Sequence, residues 1–381
     1  MATGAGDQFW EQQRLPGVFK HDLLRRYLPR FAGKTGSRAP GVVYLDGYAG
    51  RGRYQDGRPA SAERILQIAE SQGNQGINYR LFFYERDQES FAVLDEVVRE
   101  YAARGVRAEA TCSEVISGLG RVVDAAYEKP LFLFLDPCGL GIPVSLLTRT
   151  LSGSRAAKWP PTEVLLNFSL DAVRRIAGHV TSPNANKKSM ARLDEVLGGD
   201  WWRELVRQGV GDQSVDEIVN GFMERLERAT GMRTLAIPVR RNPAHKPVYF
   251  LVFGTRSSLG IWHFADDTAR ATETWWSTFD AQEEAKPGQG SFFPASAFIR
   301  QDLNDVEAEA RPVIARNIAA LVAKRGLCRV GDFPVEIFGD YLGRVRETVV
   351  RAAIKELHAN GRTPSDGKGN RIADLKVSSP P

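Results

Sequence analysis

"VVYLDGYAGRGRY", residues 42–54, begins as a strand and changes character half-way. Mostly apolar residues run into Asp46, and a loop rich in Gly and Arg follows. A carboxylate at the tip of a buried strand, approached by bare backbone, suits a metal, a tight turn or a nucleotide cofactor. Gly47, Gly50 and Gly52 fall as G-x-x-G-x-G, so the dinucleotide fingerprint G-x-G-x-x-G is not met. The pattern that is met is D-x-(aromatic)-x-G-x-G, with Tyr48 as the aromatic and Ala49 behind it. Gly50 and Gly52 would let the backbone pass against a ligand, and the loop N–H groups could hold it. Asp46 can accept a hydrogen bond from an ammonium group or an ordered water. The plain alternative is a tight strand–helix turn beside solvated acids.

Outward from this loop, apolar strands and amphipathic helices alternate. The pattern predicts a helix over "PGVFKHDLLRRYLPRFAG", where Phe19, Leu23, Tyr27 and Phe31 share a face. It then predicts a helix from about Ser61, a strand "YRLFFYE" ending at Glu85, and a helix over Glu89–Ala103. A strand over Val106–Thr111, a helix after Ser113, a strand "LFLFLD" ending at Asp136, a helix over Pro143–Leu151 and a strand "EVLLNFS" follow. Near-continuous apolar strands are buried on both faces, as in a parallel sheet covered by helices. The expected fold class is therefore α/β, a doubly wound Rossmann-like sheet.

Residues from about 170 to 230 break the alternation and read as a polar helical insertion, a lid or a substrate-facing segment. The sheet resumes with "RTLAIPVR" and "KPVYFLVFGT". With no helix between them, at least one of these strands is expected to run antiparallel. The expected α/β domain spans residues 1–279 and a linker 280–301. A winged-helix-like domain over 302–381 has three helical patterns and a short closing strand, "RIADLKV".

In an open α/β sheet, ligands bind outside the C-terminal ends of the strands, where strand order reverses. The polar residues at those ends are Asp46, Glu85, Cys112 and Ser113, Asp136 and Asn167. Glu85 is placed to receive two ribose hydroxyls. Asp136 is aimed by Pro137, whose ring fixes the chain's exit, and could accept a proton from a substrate. The alternative for Asp136 is a turn-capping Asp. Cys138 follows. An isolated Cys at a strand end is usually a small buried hydrophobe, with a nucleophile the rarer case. Arg51, Arg53 and Tyr54 could hold a carboxylate or phosphate, or line a solvated loop. Lys20 and His21 flank the apolar face of the first helix and would otherwise be solvated.

The chain has 381 residues, 43% hydrophobic and 25% charged, enough for two or three cores. No apolar run approaches a membrane span, and "MATGAGDQFWEQQ" does not read as a signal peptide. Three scattered cysteines argue against a disulfide framework or a zinc site, and the five histidines show no ligand spacing. A reducing cytoplasm is expected. The net charge of +5 is concentrated late: from Arg311 onward Lys and Arg outnumber Asp and Glu by 13 to 7. Such a basic piece suggests a polyanion partner, although solubility explains the excess equally well. In "GRVRETVVRAAIKELHANG", Arg344, Arg351 and Lys355 lie opposite a stripe of Val345, Val349, Ala353 and Leu357. In a winged helix that polar face would enter a major groove, with Lys368 and Arg371 on phosphates. A docking domain with a solvated basic face is the alternative.

The Gly loop with its D-P-x-G strand end resembles class I S-adenosylmethionine (SAM)-dependent methyltransferases, particularly those acting on nucleic acids. More narrowly, "FKHDLLRRYL", "YLDGYAGRGRYQDG", "FLDPCGLGIP" and "LLNFS" together resemble the three-Cys-motif partner family. The resemblance implies a methyltransferase fold, SAM as cofactor, and a radical-SAM-like protein of a phage type, carrying three cysteines, as partner. It also implies that Lys20 and His21 lie near the cofactor. Adenine-N6 enzymes carry an aromatic after the D-P pair to stack on the flipped base; here Cys138 and Gly139 follow. Pro137-Cys138 is also similar to the Pro-Cys of cytosine-C5 methyltransferases. Three functions compete: a methyltransferase acting on nucleic acid or a nucleotide-derived substrate, a non-catalytic SAM-binding accessory subunit, and a winged-helix nucleic-acid-binding protein.

Overall fold

The computed structural model describes residues 14–285 and 300–380. The elements follow the expected alternation: α1 (Leu15–Thr35), β1 (Val42–Asp46), α2 (Ser61–Gly73), β2 (Tyr79–Glu85), α3 (Gln88–Ala102), β3 (Ala108–Cys112), α4 (Val115–Ala125), β4 (Leu131–Leu135), α5 (Val144–Leu151) and β5 (Thr162–Ser169). The strands are ordered β3-β2-β1-β4-β5-β7-β6, with β6 (Arg233–Val239) and β7 (Tyr249–Thr255) completing the sheet. Neighbouring strands among β1 to β5 pair in parallel, and β7 runs antiparallel to both β5 and β6. This is the doubly wound, Rossmann-like sheet that the alternation called for. The order reverses between β1 and β4, so the crevice at the switch point opens between Asp46 and Asp136.

Alternation within the strands sorts two faces. Val43, Leu45, Leu133, Leu135, Leu166 and Phe168 point into one core together with α4, α5 and the helices of the insertion. Those helices are α6 (Leu170–Ala177), α7 (Lys187–Leu197), α8 (Trp202–Leu205) and α9 (Asp212–Thr230). Because Leu197, Trp202, Ile218 and Leu226 are fully buried there, the insertion is part of the core and not a free lid. On the other face Tyr44 stacks on Phe132 at 5.9 Å, and Phe31 meets Phe132 edge-on at 5.5 Å.

Two compact units divide the chain. The sheet lies in the first, Leu28–Arg241 and His245–Arg256 together with the described chain up to Gly17. The second takes in Val18–Tyr27, Asn242–Ala244 and the described residues from Ser257 onward. It contains α10 (Ser258–Glu284), a helix that the periodicity did not predict. Its buried face includes Asp266, Asp267 and Thr268, which blurs the apolar stripe. Asp266 pairs with Arg270 and accepts the Glu347 N–H, and Thr268 donates to the Phe264 carbonyl, so Asp266 and Thr268 are satisfied inside. The helix enters the stretch expected as a linker from Asp280; residues 286–299 of that stretch lie outside the described residues. Then come α11 (Leu303–Arg325), α12 (Pro334–Phe338) and α13 (Thr348–Ala359), with a two-residue antiparallel ladder of β8 (Cys328–Arg329) and β9 (Lys376–Val377). Val345, Val349, Ala353 and Leu357 are all buried, as the stripe predicted.

Candidate functional site

The loop after β1 is tied to both neighbouring strands. Gly47 N–H donates to the Phe134 carbonyl at 2.9 Å and Ala49 N–H to the Tyr84 carbonyl at 2.9 Å. Tyr48 N–H donates to Asp46 Oδ1 at 3.0 Å, and Gly50 N–H to Glu85 Oε2 at 2.9 Å. Four successive N–H groups are therefore spent within the protein. This corrects the expectation that they would hold a ligand: backbone amides already bonded cannot cradle a phosphate. Gly50 and Gly52 have φ of 63° and 74°, the left-handed region that favours Gly. Gly47 is required by packing, since a Cβ there would stand 2.9 Å from both Leu135 and Val115 side-chain carbons.

What faces the crevice is a set of acceptors. Glu85 also takes the Asp87 N–H on Oε1 at 2.7 Å, so each carboxylate oxygen keeps a second lone pair for a ligand. Asp136, past the tip of β4, accepts Asn167 Nδ2 on Oδ1 at 2.8 Å. A carboxylate can only accept there, so the amide orientation of Asn167 is decided and its Oδ1 is the acceptor left over. Asn167 Oδ1 is buried and has no hydrogen-bond partner among the described residues. Asp46 is fully buried and braces the turn. Burial, and then the charges of Asp46 and Asp136, push the Tyr44 phenol well above its ordinary pKa. The Tyr48 phenol is pushed up to about 12, chiefly by burial, and is neutral at physiological pH.

The remaining residues singled out from the sequence divide by place. Cys112 lies in register with Glu85 at the sheet edge and is exposed, with Ser113 next to it. Arg51 is half-buried and Tyr54 buried. Arg53 was expected to face a ligand or solvent; instead its guanidinium bonds Glu63 at 2.8 Å and Glu100 at 2.8 Å, tying the loop to α2 and α3. Pro137 is buried, but Cys138 is exposed, so this Cys is not the small core hydrophobe expected of an isolated one. Lys20 and His21 lie on α1 in the stretch that belongs to the second unit; His21 is buried, which corrects its reading as a solvated residue. Arg344 and Lys355 are exposed in that unit, whereas Arg351 donates to the Gly367 carbonyl at 3.2 Å and the Gly369 carbonyl at 2.8 Å.

Sequence reading missed an apolar pocket beside Asp136. It is lined by Leu135, Pro137, Leu140, Leu166, Phe168 and Phe222 among others, with Asn167 and Ser169 as its polar groups. Phe222 comes from the insertion, and nothing local in the sequence marks it as facing Pro137. Among the described residues no group of three His, Cys, Asp or Glu is placed to hold a metal ion, and no helix is long and apolar enough to cross a membrane.

No family model and no curated protein matches the chain. Solved structures do. The small RNA methyltransferase HEN1 is similar over 67% of this chain and 27% of its own, at 8% identity and a TM-score of 0.35. The chain thus spans well under two thirds of that protein's length. The methyltransferase domain of bacterial CtHen1 is similar over 61% of this chain and 99% of its own, at 6% identity and a TM-score of 0.29. Magnesium protoporphyrin IX methyltransferase (ChlM) from Synechocystis PCC 6803, with bound SAH, gives 64% and 84%, at 11% identity and a TM-score of 0.30. The strand order, and not these likenesses, defines the fold.

Proposed function

We propose that the chain is a SAM-dependent methyltransferase acting on a nucleic acid or a nucleotide-derived substrate. The observation that carries this reading is the acceptor-lined crevice: the N–H groups of Gly47–Gly50 are spent, while Glu85 and Asp136 face the switch point. A dinucleotide diphosphate needs free N–H donors at this turn. A ligand with hydroxyls, an ammonium group and a sulfonium charge needs acceptors and negative potential. The acceptor set fits SAM. Glu85 would take the ribose hydroxyls, Cys112 and Ser113 would border the base, and the backbone carbonyls of Asp46–Gly50 with Arg51 would hold the amino-acid end. Lys20 and His21 are assigned to the cofactor by the resemblance alone.

Bound SAM supplies an electrophilic methyl group. The chain's own contribution is positioning and proton handling. Asp136, braced by Asn167, accepts the proton that the substrate nucleophile gives up. A second reading is favoured by one feature: the Cys138-Gly139 pair offers no aromatic to stack on a base, which suits a SAM-binding accessory subunit of the radical-SAM-like partner. Titration calorimetry with SAM tests the first step. We expect binding by the parent and a loss of about 1.5–3 kcal/mol in Glu85→Ala, the worth of hydrogen bonds to a charged group. No SAM binding, or equal binding by the variant, overturns the assignment. Labelled-methyl transfer to nucleic acids, with and without the partner, separates enzyme from accessory subunit.

A further inference from the structure

We infer that the second unit grips nucleic acid by its phosphodiester backbone, without reading base sequence, on a surface made by α13 and the loop from Arg362 to Arg371. This deepens the proposed function, on which it rests for the kind of polyanion, by giving that substrate a place to be held.

The loop is built, not slack. Arg351 spans the carbonyls of Gly367 and Gly369, Thr363 donates its hydroxyl to the Ser378 carbonyl at 2.8 Å, and Lys368 N–H caps Asp366 Oδ1 at 2.9 Å. A Cβ on Gly367 would stand 3.3 Å from Lys355 Cγ and 3.4 Å from the Arg351 carbonyl, so the loop backbone lies against α13. Lys355 and Lys368 are thereby brought together from 13 residues apart, with Arg371 at the loop's exit, all three exposed.

Charge accounting favours an outside partner. Arg311 pairs with Glu356, Arg329 with Asp332 and Asp374, and Arg346 with Glu307. Lys355, Arg362 and Arg371 make no ion pair among the described residues, and the Lys368–Asp366 pair is exposed and easily exchanged.

Base reading needs side chains that offer paired donors and acceptors to a groove. On α13, Arg351 is occupied by the loop carbonyls and Glu356 by Arg311, which leaves the exposed cations around them to meet phosphates. The expected groove insertion of Arg351 is therefore replaced by phosphate contact through the surrounding cations.

Fluorescence anisotropy of the full chain with labelled 20-mer duplex and single-stranded DNA, over a salt series, tests this. A Lys355→Gln/Lys368→Gln/Arg371→Gln variant should weaken binding at least ~10-fold at low salt. It should flatten the log–log salt slope by about 2–3 on duplex DNA, since each phosphate contributes roughly −0.9, and by slightly less on single strands. The same charge removal elsewhere, Arg316→Gln/Lys324→Gln/Lys376→Gln, should change the slope by less than about 1. Unrelated sequences should bind within about 3-fold of one another. No binding by the parent, equal effects of the two variants, or a preference above ~10-fold among sequences overturns the inference. Binding of DNA by a chain that fails to bind SAM would instead sink the methyltransferase reading and leave this surface standing.

Discussion

Two turns flank the switch point, and they are built differently. After β1, four consecutive N–H groups bond to β1, β2 and β4, and Gly47 fits because any side chain would strike Leu135 and Val115. After β4, a Cβ on Gly139 would meet nothing within 4 Å, one on Gly141 would meet only Pro137, and Cys138 is exposed. Asn167 clamps Asp136 at the start of that turn, and Arg192 holds the Gly141 carbonyl at 3.2 Å near its end. One turn is a rigid wall shared by three strands; the other has two anchors and open space between them. In the proposed enzyme the rigid turn serves the invariant cofactor and the open one meets the substrate.

The largest effect expected from breaking this comparison is chemical. Asp136→Ala should lower methyl transfer by ~10²-fold or more, the scale of a positioned proton acceptor, with SAM affinity held within a few-fold. Steady-state rates set beside calorimetry decide this, and a matching loss of SAM affinity would move Asp136 to the cofactor side. Next comes the packed turn. Gly47→Ala should cost about 1–3 kcal/mol of stability through overpacking against Leu135 and Val115, read as a shifted denaturation midpoint at constant slope. The smallest effect sharpens the contrast: Gly139→Ala should stay within about 0.5 kcal/mol of the parent. If it destabilised as much as Gly47→Ala, the two turns would be equally built and the division of labour would fail.

The sheet was legible because buried parallel strands leave near-continuous apolar runs. β1 and β4 are buried at all five positions each, and Asp46 at the end of one and Asp136 just past the other stand out by contrast. That at least one of β6 and β7 runs antiparallel followed from the short span between them; that it is β7 did not. Helix α10 was illegible for the opposite reason: Asp266, Asp267 and Thr268 are buried in it and interrupt the apolar stripe, and Asp266 is held in part by the Glu347 N–H, 81 residues away. Arg53 misled similarly. Its acids, Glu63 and Glu100, lie 10 and 47 residues away, and a guanidinium in a loop reads as free until they are found.

The sequence by itself determined the strands, the parallel sheet and the polar residues at its tips, because burial periodicity and turn chemistry are local properties of the chain. Tertiary structure alone decided which of those groups remain for a ligand. It spent the N–H groups of Gly47–Gly50 on Phe134, Asp46, Tyr84 and Glu85, turned Asn167 so that its amide nitrogen meets Asp136, and committed Arg351 to the carbonyls of Gly367 and Gly369. A hydrogen bond is made with whatever lies within about 3 Å in space, at any separation along the chain, so its partner is invisible until the fold has formed.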